Sequence, residues 1–246
     1  MHGLNTYDYG ARQYNPVTVR WDRMDRFATK YYHLSPYTYC AGNPVNAIDV
    51  NGDSIRIDNI ELQSALDLAL GVQDVLKYNN GVLVPESMTD IINKGNAFAD
   101  DLYNLAINNQ MIDVSLSEKN TYLLNGVQVS KEFDSPADDS PREYLLKETL
   151  KTWEEQGWST GKCIRGNLGQ TLFPTESPIS GKKSLTNNVS VVINAKGTAN
   201  HRAVGLVHEF SHVALYLSNR KYWHPDADTY INVKTLPIKK RLGYDL

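Results

Sequence analysis

The strongest constraint on how this chain folds is a short apolar segment followed closely by a long apolar helix near the C-terminal end. Residues 189–194 read Val-Ser-Val-Val-Ile-Asn, an apolar run of the length expected for a buried strand. Residues 199–218 carry apolar side chains at helical spacing, and Thr198 or Asn200 can cap the first turn. Because both segments have to bury an apolar face, they predict helices packed on a sheet in an α+β domain.

The predicted helix contains the pentapeptide His208-Glu209-Phe210-Ser211-His212, which has the H-E-x-x-H pattern. Side chains four residues apart lie on one face of a helix, so His208 and His212 can bind one Zn²⁺ ion. Glu209 lies where its carboxylate can reach a zinc-bound water and act as a general base. The motif therefore predicts a zincin-like zinc metallopeptidase in which His208 and His212 bind zinc and Glu209 is catalytic.

A catalytic zinc ion normally takes a third protein ligand and keeps one position for water. The extended metzincin pattern requires glycine and histidine where this chain has Leu215 and Ser218, so that class is excluded. The gluzincin pattern uses a downstream glutamate, but no glutamate follows Glu209. The candidates that remain downstream are His224, Asp226, Asp228 and Asp245.

The segment from His224 to Asp228 follows a predicted turn at Asn219, which would let the chain fold back towards the helix. We favour His224 as the third ligand because neutral imidazole suits zinc. Asp228 is the second choice, and it would make the site similar to that of the aspzincins. Asp226 or Asp228 could instead hold the second ring nitrogen of a histidine. The alternative interpretation of this segment is a solvated turn.

Other polar residues could contribute to a zinc site, but their sequence patterns are less specific than the H-E-x-x-H motif. A zinc peptidase often uses a tyrosine or histidine to stabilise the developing oxyanion, and nearby residues could supply that hydrogen bond. The candidates for this donor are Tyr222, Tyr230 and His201. Charged pairs and clusters elsewhere predict solvated surface. These are Asp138-Asp139, Lys182-Lys183 and Lys239-Lys240-Arg241.

The rest of the sequence from residue 53 predicts a mixture of helices and strands. Strands are predicted at 54–57 and 111–116, and a hairpin over 121–133 turns at Asn125-Gly126. Helices are predicted at 62–78, at 86–108 with a break near Gly95, and around Leu146, Leu150 and Trp153 until Gly157. Residues 134–141 predict a loop, and 157–188 predict a long irregular segment that could line a site.

The composition excludes several classes of protein. The 246 residues have a formal net charge of −3 and are 41% apolar, so they can bury a sizeable core and predict no nucleic-acid partner. The two cysteines lie far apart, which excludes a disulfide framework. We expect no membrane span, because no apolar run is long enough, and no signal peptide, because the first residues lack that pattern.

Tyrosine is concentrated at the N-terminal end, where seven of the fifteen tyrosines lie in the first 39 residues. Short polar–apolar alternations separated by Asn-Pro and Ser-Pro turns predict a small β-rich segment over residues 1–52. The run 7–14 (Tyr-Asp-Tyr-Gly-Ala-Arg-Gln-Tyr), then Arg20-Trp21 and Asp25, and the run 34–46 resemble the RHS-repeat-associated core domain in its Bacteroidetes-like form. The resemblance covers residues 3–52 and implies that they are the C-terminal part of a β-rich shell.

In RHS proteins a variable effector domain follows the core, so the resemblance implies that residues 53–246 are a polymorphic-toxin zinc metallopeptidase. The partners it implies are a protein or peptide substrate, a cognate immunity protein and the parent RHS shell. The effector would be secreted or delivered as part of a larger RHS protein, and would be cytoplasmic if expressed alone.

Two departures from the family pattern bear on this expectation. Residues 49–52 read Asp-Val-Asn-Gly where the family has Asp-Pro-x-Gly, so the pattern does not support self-cleavage after Gly52. The resemblance also covers only the last part of an RHS shell. The alternative prediction is therefore a catalytically inactive orphan remnant with a structural or interaction role.

Overall fold

The structure is a computed structural model that describes residues 6–8, 12–24, 35–39, 55–94, 96–108, 110–139 and 163–244. Its strands are β1 (Tyr7–Asp8), β2 (Gln13–Asn15), β3 (Arg20–Trp21), β4 (Ile55–Ile57), β5 (Tyr78–Asn79), β6 (Val82–Leu83), β7 (Ile112–Ser117), β8 (Lys119–Leu124), β9 (Val127–Glu132), β10 (Ala137–Asp139), β11 (Cys163–Arg165), β12 (Gly169–Leu172), β13 (Lys182–Lys183) and β14 (Val189–Asn194). Its helices are α1 (Ile60–Leu70), α2 (Thr89–Ile92), α3 (Ala97–Ala106), α4 (Ala199–Leu217) and α5 (Asp228–Arg241), with a 3₁₀ turn at Pro85–Met88. The described chain is therefore α+β, as predicted.

The three N-terminal strands form a small antiparallel sheet in which β2 lies between β1 and β3. Next to it the rings of Tyr14, Trp21 and Tyr39 pack together, with centroids 4.2–5.9 Å apart. Trp21 and Tyr39 are buried by these contacts. The described part of this tyrosine-rich segment thus contains short strands, as its polar–apolar alternation predicts.

The central sheet has six strands in the order β12-β14-β7-β4-β6-β5. β14, β7 and β4 run parallel, whereas β12 and β6 are antiparallel to the strands they pair with. β14 is buried along nearly its whole length, which explains why its sequence is an almost unbroken apolar run. One edge of the sheet is β12, and this strand lies directly against helix α4.

Helix α4 has 19 residues and packs against α1, α3 and α5 as well as against the sheet. Its start is closed by a capping box, because the Thr198 hydroxyl accepts the His201 N–H and the His201 ring accepts the Thr198 N–H. In its middle, Phe210 is fully buried and its ring lies 6.4 Å from that of Phe98 in α3. The core therefore holds the helix on several sides and fixes where residues 208–212 lie.

A second sheet, in the order β13-β8-β9, packs beside the first. The β8–β9 hairpin turns at Asn125 and Gly126, whose φ angles are +51° and +79°. Positive φ at both central residues is the requirement of a type I′ turn, which Asn-Gly meets at little steric cost. The predicted hairpin is therefore confirmed, with its strands beginning two residues earlier than predicted.

The predicted helices were too long in two places. α1 ends before Gly71, whose φ of +74° and backbone N–H close the helix, so the helix predicted over 62–78 is wrong beyond that point. The helix predicted over 86–108 is divided into the 3₁₀ turn, α2 and α3. The side chain of Asn96 caps α3, so the division falls where the break near Gly95 was predicted.

The predicted irregular segments also contain regular structure. The loop predicted over 134–141 includes β10, which pairs with β11, and the irregular segment 157–188 includes β11, β12 and β13. These strands are short and partly polar, so their main-chain pairing leaves no periodic apolar pattern. The predicted helix around residues 146–153 lies outside the described residues.

Helix α5 was not predicted, because Pro237 and a run of basic residues interrupt any apolar period. Apolar contacts are nevertheless present, since Ile231 and Ile238 are buried on the side that faces α4 and its neighbours. Of the helices in the described part of the chain, none combines the length and the apolar character that a membrane span needs.

Candidate metal centre

One turn of α4 brings the imidazoles of His208 and His212 together. Their Nε2 atoms lie 3.3 Å apart. Two nitrogens that bind one tetrahedral zinc ion at 2.0–2.1 Å are roughly 3.3–3.4 Å from each other. The spacing of these two rings therefore fits a shared zinc ion.

A main-chain contact fixes the orientation of the His212 ring. Its Nδ1 is hydrogen-bonded to the carbonyl oxygen of Tyr222. Because a carbonyl oxygen only accepts, Nδ1 carries the proton and Nε2 keeps its lone pair for a metal. Tyr222 reaches this position because the chain reverses after α4 at Asn219, which has a φ of +53° and confirms the predicted turn.

The same reversal brings a third imidazole, that of His224, to the first two. One ring nitrogen from each of His208, His212 and His224 lies within 4.8 Å of the others. Nδ1 of His224 is hydrogen-bonded to the carboxylate of Asp228, which leaves Nε2 available as a ligand. A histidine held by a carboxylate in this way is a frequent arrangement in zinc sites.

The structure gives the other candidate ligands different surroundings. Asp228 contacts the ring of His224 and is not part of the three-histidine cluster. Asp226 forms an ion pair with Lys221, whose Nζ lies 3.1 Å from the carboxylate. Asp245 lies outside the described residues. Of the predicted third ligands within the described chain, His224 is thus the residue that the fold brings to the helix histidines.

Glu209 is buried between α4 and the edge strand β12. The hydroxyl of Thr171 donates a hydrogen bond of 2.7 Å to its Oε2. Gly169 allows this close approach, because a Cβ there would lie 3.1 Å from Cγ of Glu209 and 2.8 Å from the carbonyl oxygen of Val192. The carboxylate is therefore enclosed and held by a strand that can come this close only with glycine at position 169.

Burial sets the protonation state of these groups. It lowers the pKa of His208, and it lowers the pKa of His212 to about 4, so both rings are neutral at pH 7 and able to bind a metal. Burial also raises the pKa of Glu209, against the opposing effects of His208 and of the Thr171 hydrogen bond. A carboxylate whose pKa is raised is a stronger base. The site therefore combines neutral imidazoles with a carboxylate of increased basicity.

The histidine cluster and Glu209 line a cleft of about 440 Å³, a volume in the usual range of ligand sites. The lining includes residues 169–173, which contain β12, and also Tyr222 and Trp223, and the ring of Tyr222 lies 4.4 Å from that of Phe173. Lys182, from one of the basic pairs predicted at the surface, is partly exposed and also lines this cleft.

The three candidate oxyanion donors are separated by the fold. Tyr222 lines the cleft, whereas Tyr230 and His201 are not among its lining residues. The Tyr230 hydroxyl donates to Asp101 over 2.7 Å, and Nε2 of His201 lies 2.6 Å from Asp138. Asp138 is exposed, as predicted, and its carboxylate also contacts the buried His201.

Two residues of the site, Gly169 and Thr171, were missed in the sequence. Gly169 belongs to a glycine-rich stretch that predicts only a loop, although a glycine within a strand often marks a close backbone approach. No local signal identifies Thr171, because its contact with Glu209 depends on the antiparallel pairing of β12 with β14.

The fold and the site together define an α+β protein with a candidate three-histidine metal centre beside a buried glutamate. Within the described ranges, this is the one group of three or more potential metal-binding side chains. No known protein family, curated protein or solved structure that was compared with the chain matches it. The resemblances to the RHS core and to the zincins therefore stay predictions from the sequence.

Proposed function

We propose that this chain is a zinc-dependent peptidase in which His208, His212 and His224 bind zinc and Glu209 is the general base. The observation that carries the proposal is the convergence of three ring nitrogens within 4.8 Å, next to a buried carboxylate on the wall of a cleft. Three protein ligands leave one coordination position open, which is typical of catalytic zinc sites, whereas structural sites usually have four.

Zinc held by these imidazoles would supply Lewis acidity for the activation of water and of a peptide carbonyl. Glu209 accepts the proton of the attacking water at its carboxylate and can pass it to the leaving amine. The Thr171 hydroxyl holds that carboxylate at Oε2, so Glu209 needs no reorientation when it acts. The Tyr222 carbonyl and the Asp228 carboxylate hold the rings of His212 and His224 with Nε2 available.

The edge strand β12 supports a peptide as the substrate. β12 pairs with β14 on one side, no other strand of the described residues pairs with it, and it lines the cleft beside Glu209. An extended peptide can add to such a sheet edge through main-chain hydrogen bonds. This mode of binding would place a peptide bond next to the histidine cluster.

The proposed biological context is that of a C-terminal effector delivered by an RHS-type protein. The ordered motifs at 7–14 and 34–46 support it, since they resemble the end of an RHS core. The small antiparallel sheet β1–β3 is in keeping with a β-rich segment of that kind. A cognate immunity protein and the parent shell are the partners that belong to this proposal.

The test compares zinc content and peptide hydrolysis in the full chain and in Glu209→Gln. Wild-type protein should bind one zinc per chain and cleave peptides in a proteome-derived library, as followed by mass spectrometry. Glu209→Gln should keep the zinc and lose hydrolysis by at least 100-fold, because a general base contributes about that much or more. Glu118→Gln, a change of the same type at an exposed position, should behave as wild type.

Three other results of these measurements would contradict the proposal. Full activity in zinc-loaded Glu209→Gln would overturn the mechanism. Absence of bound zinc in the wild type would overturn the metal site. A wild-type protein that binds zinc, cleaves no peptide in the library and does not harm a host cell would favour the inactive remnant.

A further inference from the structure

The residues that line the cleft include one lysine, Lys182, and no arginine. Lys182 lies in β13, which pairs with β8 and so belongs to the second sheet. Glu209 is the one acidic residue among the lining residues. The second sheet therefore contributes an ammonium group to the lining of the cleft.

The contacts of Lys182 leave its charge uncompensated. Its Nζ donates to Oε1 of Gln170 over 3.3 Å and lies 4.5 Å from the centre of the Tyr122 ring, and both of these groups are neutral. Among the described residues no carboxylate lies within 4.0 Å of it, and its burial and the charge of Lys131 both lower its pKa. A partly buried ammonium without a counterion is stabilised by any anion that reaches it.

A short chain of contacts links Lys182 to Glu209, the proposed general base. It contacts Gln170, whose neighbour along β12 is Thr171, the residue that holds Glu209. Successive residues of a strand are about 3.3 Å apart and their side chains point to opposite faces. Gln170 and Thr171 are adjacent, so a peptide lying along β12 with a carbonyl near Glu209 would present the side chain of a neighbouring residue to Lys182.

We propose that Lys182 is an anion-binding subsite that selects peptides with a carboxylate close to the bond that is cleaved. The carboxylate belongs either to an acidic side chain or to the C-terminus of the peptide. This inference rests on the proposed peptidase function, because it assigns the specificity of the same cleft. Lys182 acts on substrate choice and has no part in activating water.

The first experiment measures binding without hydrolysis. Zinc-loaded Glu209→Gln protein is immobilised, and peptides from a tryptic digest of a cell lysate are captured and identified by mass spectrometry. We expect Asp- and Glu-containing peptides to be enriched at least tenfold over neutral ones. The enrichment should disappear when Lys182→Met is added and should persist with Lys182→Arg. Lys183→Met is the matched control, because Lys183 is the adjacent lysine of β13 and does not line the cleft.

The second experiment measures cleavage by the otherwise unchanged protein with the same library. Cleavage sites should have Asp, Glu or a free C-terminus within two residues, and Lys182→Glu should shift the preference to Lys and Arg. Amidated copies of the best peptides distinguish a terminal carboxylate from an acidic side chain. Zinc content and far-UV circular dichroism show that each variant is folded and loaded.

The two experiments separate the failure of this inference from failure of the peptidase. Cleavage with no acidic preference, or a preference unchanged in Lys182→Met, overturns the role of Lys182 and leaves the peptidase standing. Capture of acidic peptides that depends on Lys182, without any cleavage by the wild type, supports the subsite and overturns the proposed activity. Capture that is left unchanged by Lys182→Met overturns the subsite whether or not peptides are cleaved.

Discussion

Replacement of Asp228 by asparagine tests whether the hydrogen bond to His224 supports metal binding. Asparagine has nearly the same shape, but its amide oxygen is a weaker acceptor for the Nδ1 proton of His224 than a carboxylate is. Removing such a partner of a ligating histidine typically costs 10–100-fold in metal affinity. The side chains of His224 and Asp228 are 52% and 49% exposed, so water screens their interaction. The loss of zinc affinity should therefore fall at the lower end of that range. We therefore expect the Kd for zinc to rise about tenfold, which corresponds to about 1.4 kcal/mol.

The assay is competition for zinc between the protein and a chromogenic chelator at fixed pH and ionic strength. Asp226→Asn is the matched control, because it removes the same charge two residues away and affects only an ion pair with Lys221. His224→Ala sets the upper limit of the effect by removing the ring itself. Asp228 also lies in the first turn of α5, where its charge contributes roughly 0.3–1 kcal/mol to helix stability, so chemical denaturation of the metal-free proteins is measured in parallel.

Equal zinc affinities in the Asp228→Asn, Asp226→Asn and wild-type proteins would refute the role assigned to Asp228. An unchanged affinity in His224→Ala would refute the third ligand itself. A loss of affinity that follows a loss of folding in the metal-free protein would assign the effect to helix α5 and contradict the orientation argument.

Two further changes test the strand that holds the general base. Thr171→Val removes the hydroxyl at nearly constant volume. We expect kcat to fall at least tenfold with the zinc Kd unchanged, because Glu209 loses a charge-assisted hydrogen bond. Thr171→Ser should restore most of the lost kcat, and equal kcat values for Thr171→Val and wild type would contradict the role of Thr171. Gly169→Ala places a Cβ 2.8 Å from the Val192 carbonyl oxygen, so the free energy of unfolding in urea should fall by about 1–3 kcal/mol, whereas a stabilised protein would show that β12 has room to move.

Much of the candidate site was predictable because its chemistry is local. The two helix histidines are four residues apart, and helical geometry alone places them on one face, whatever the rest of the chain does. The helix was recognisable in turn because it is buried and apolar on several sides, and the strand before it is buried as well. The turn at Asn219 followed from the chemistry of the residue type, since asparagine tolerates positive φ.

The parts that escaped prediction depend on contacts between distant segments. Strand β12 has little apolar periodicity, and its place at the sheet edge comes from main-chain pairing with β14. Helix α5 is stabilised by packing against α4 despite a proline and several lysines in its sequence. The partly buried position of Lys182 follows from the pairing of β13 with β8, about sixty residues earlier in the chain. Neither side-chain pattern nor propensity contains this information.

The sequence by itself determined an α+β domain with a helix that presents His208, Glu209 and His212 in the order needed for a zinc site. It also narrowed the third zinc ligand to four residues and favoured His224 among them. Only the tertiary structure brought His224 to the helix and enclosed Glu209 with Thr171. The reason is physical: spacing within one helix is set by local backbone geometry, whereas the approach of separate segments is set by how their buried surfaces pack.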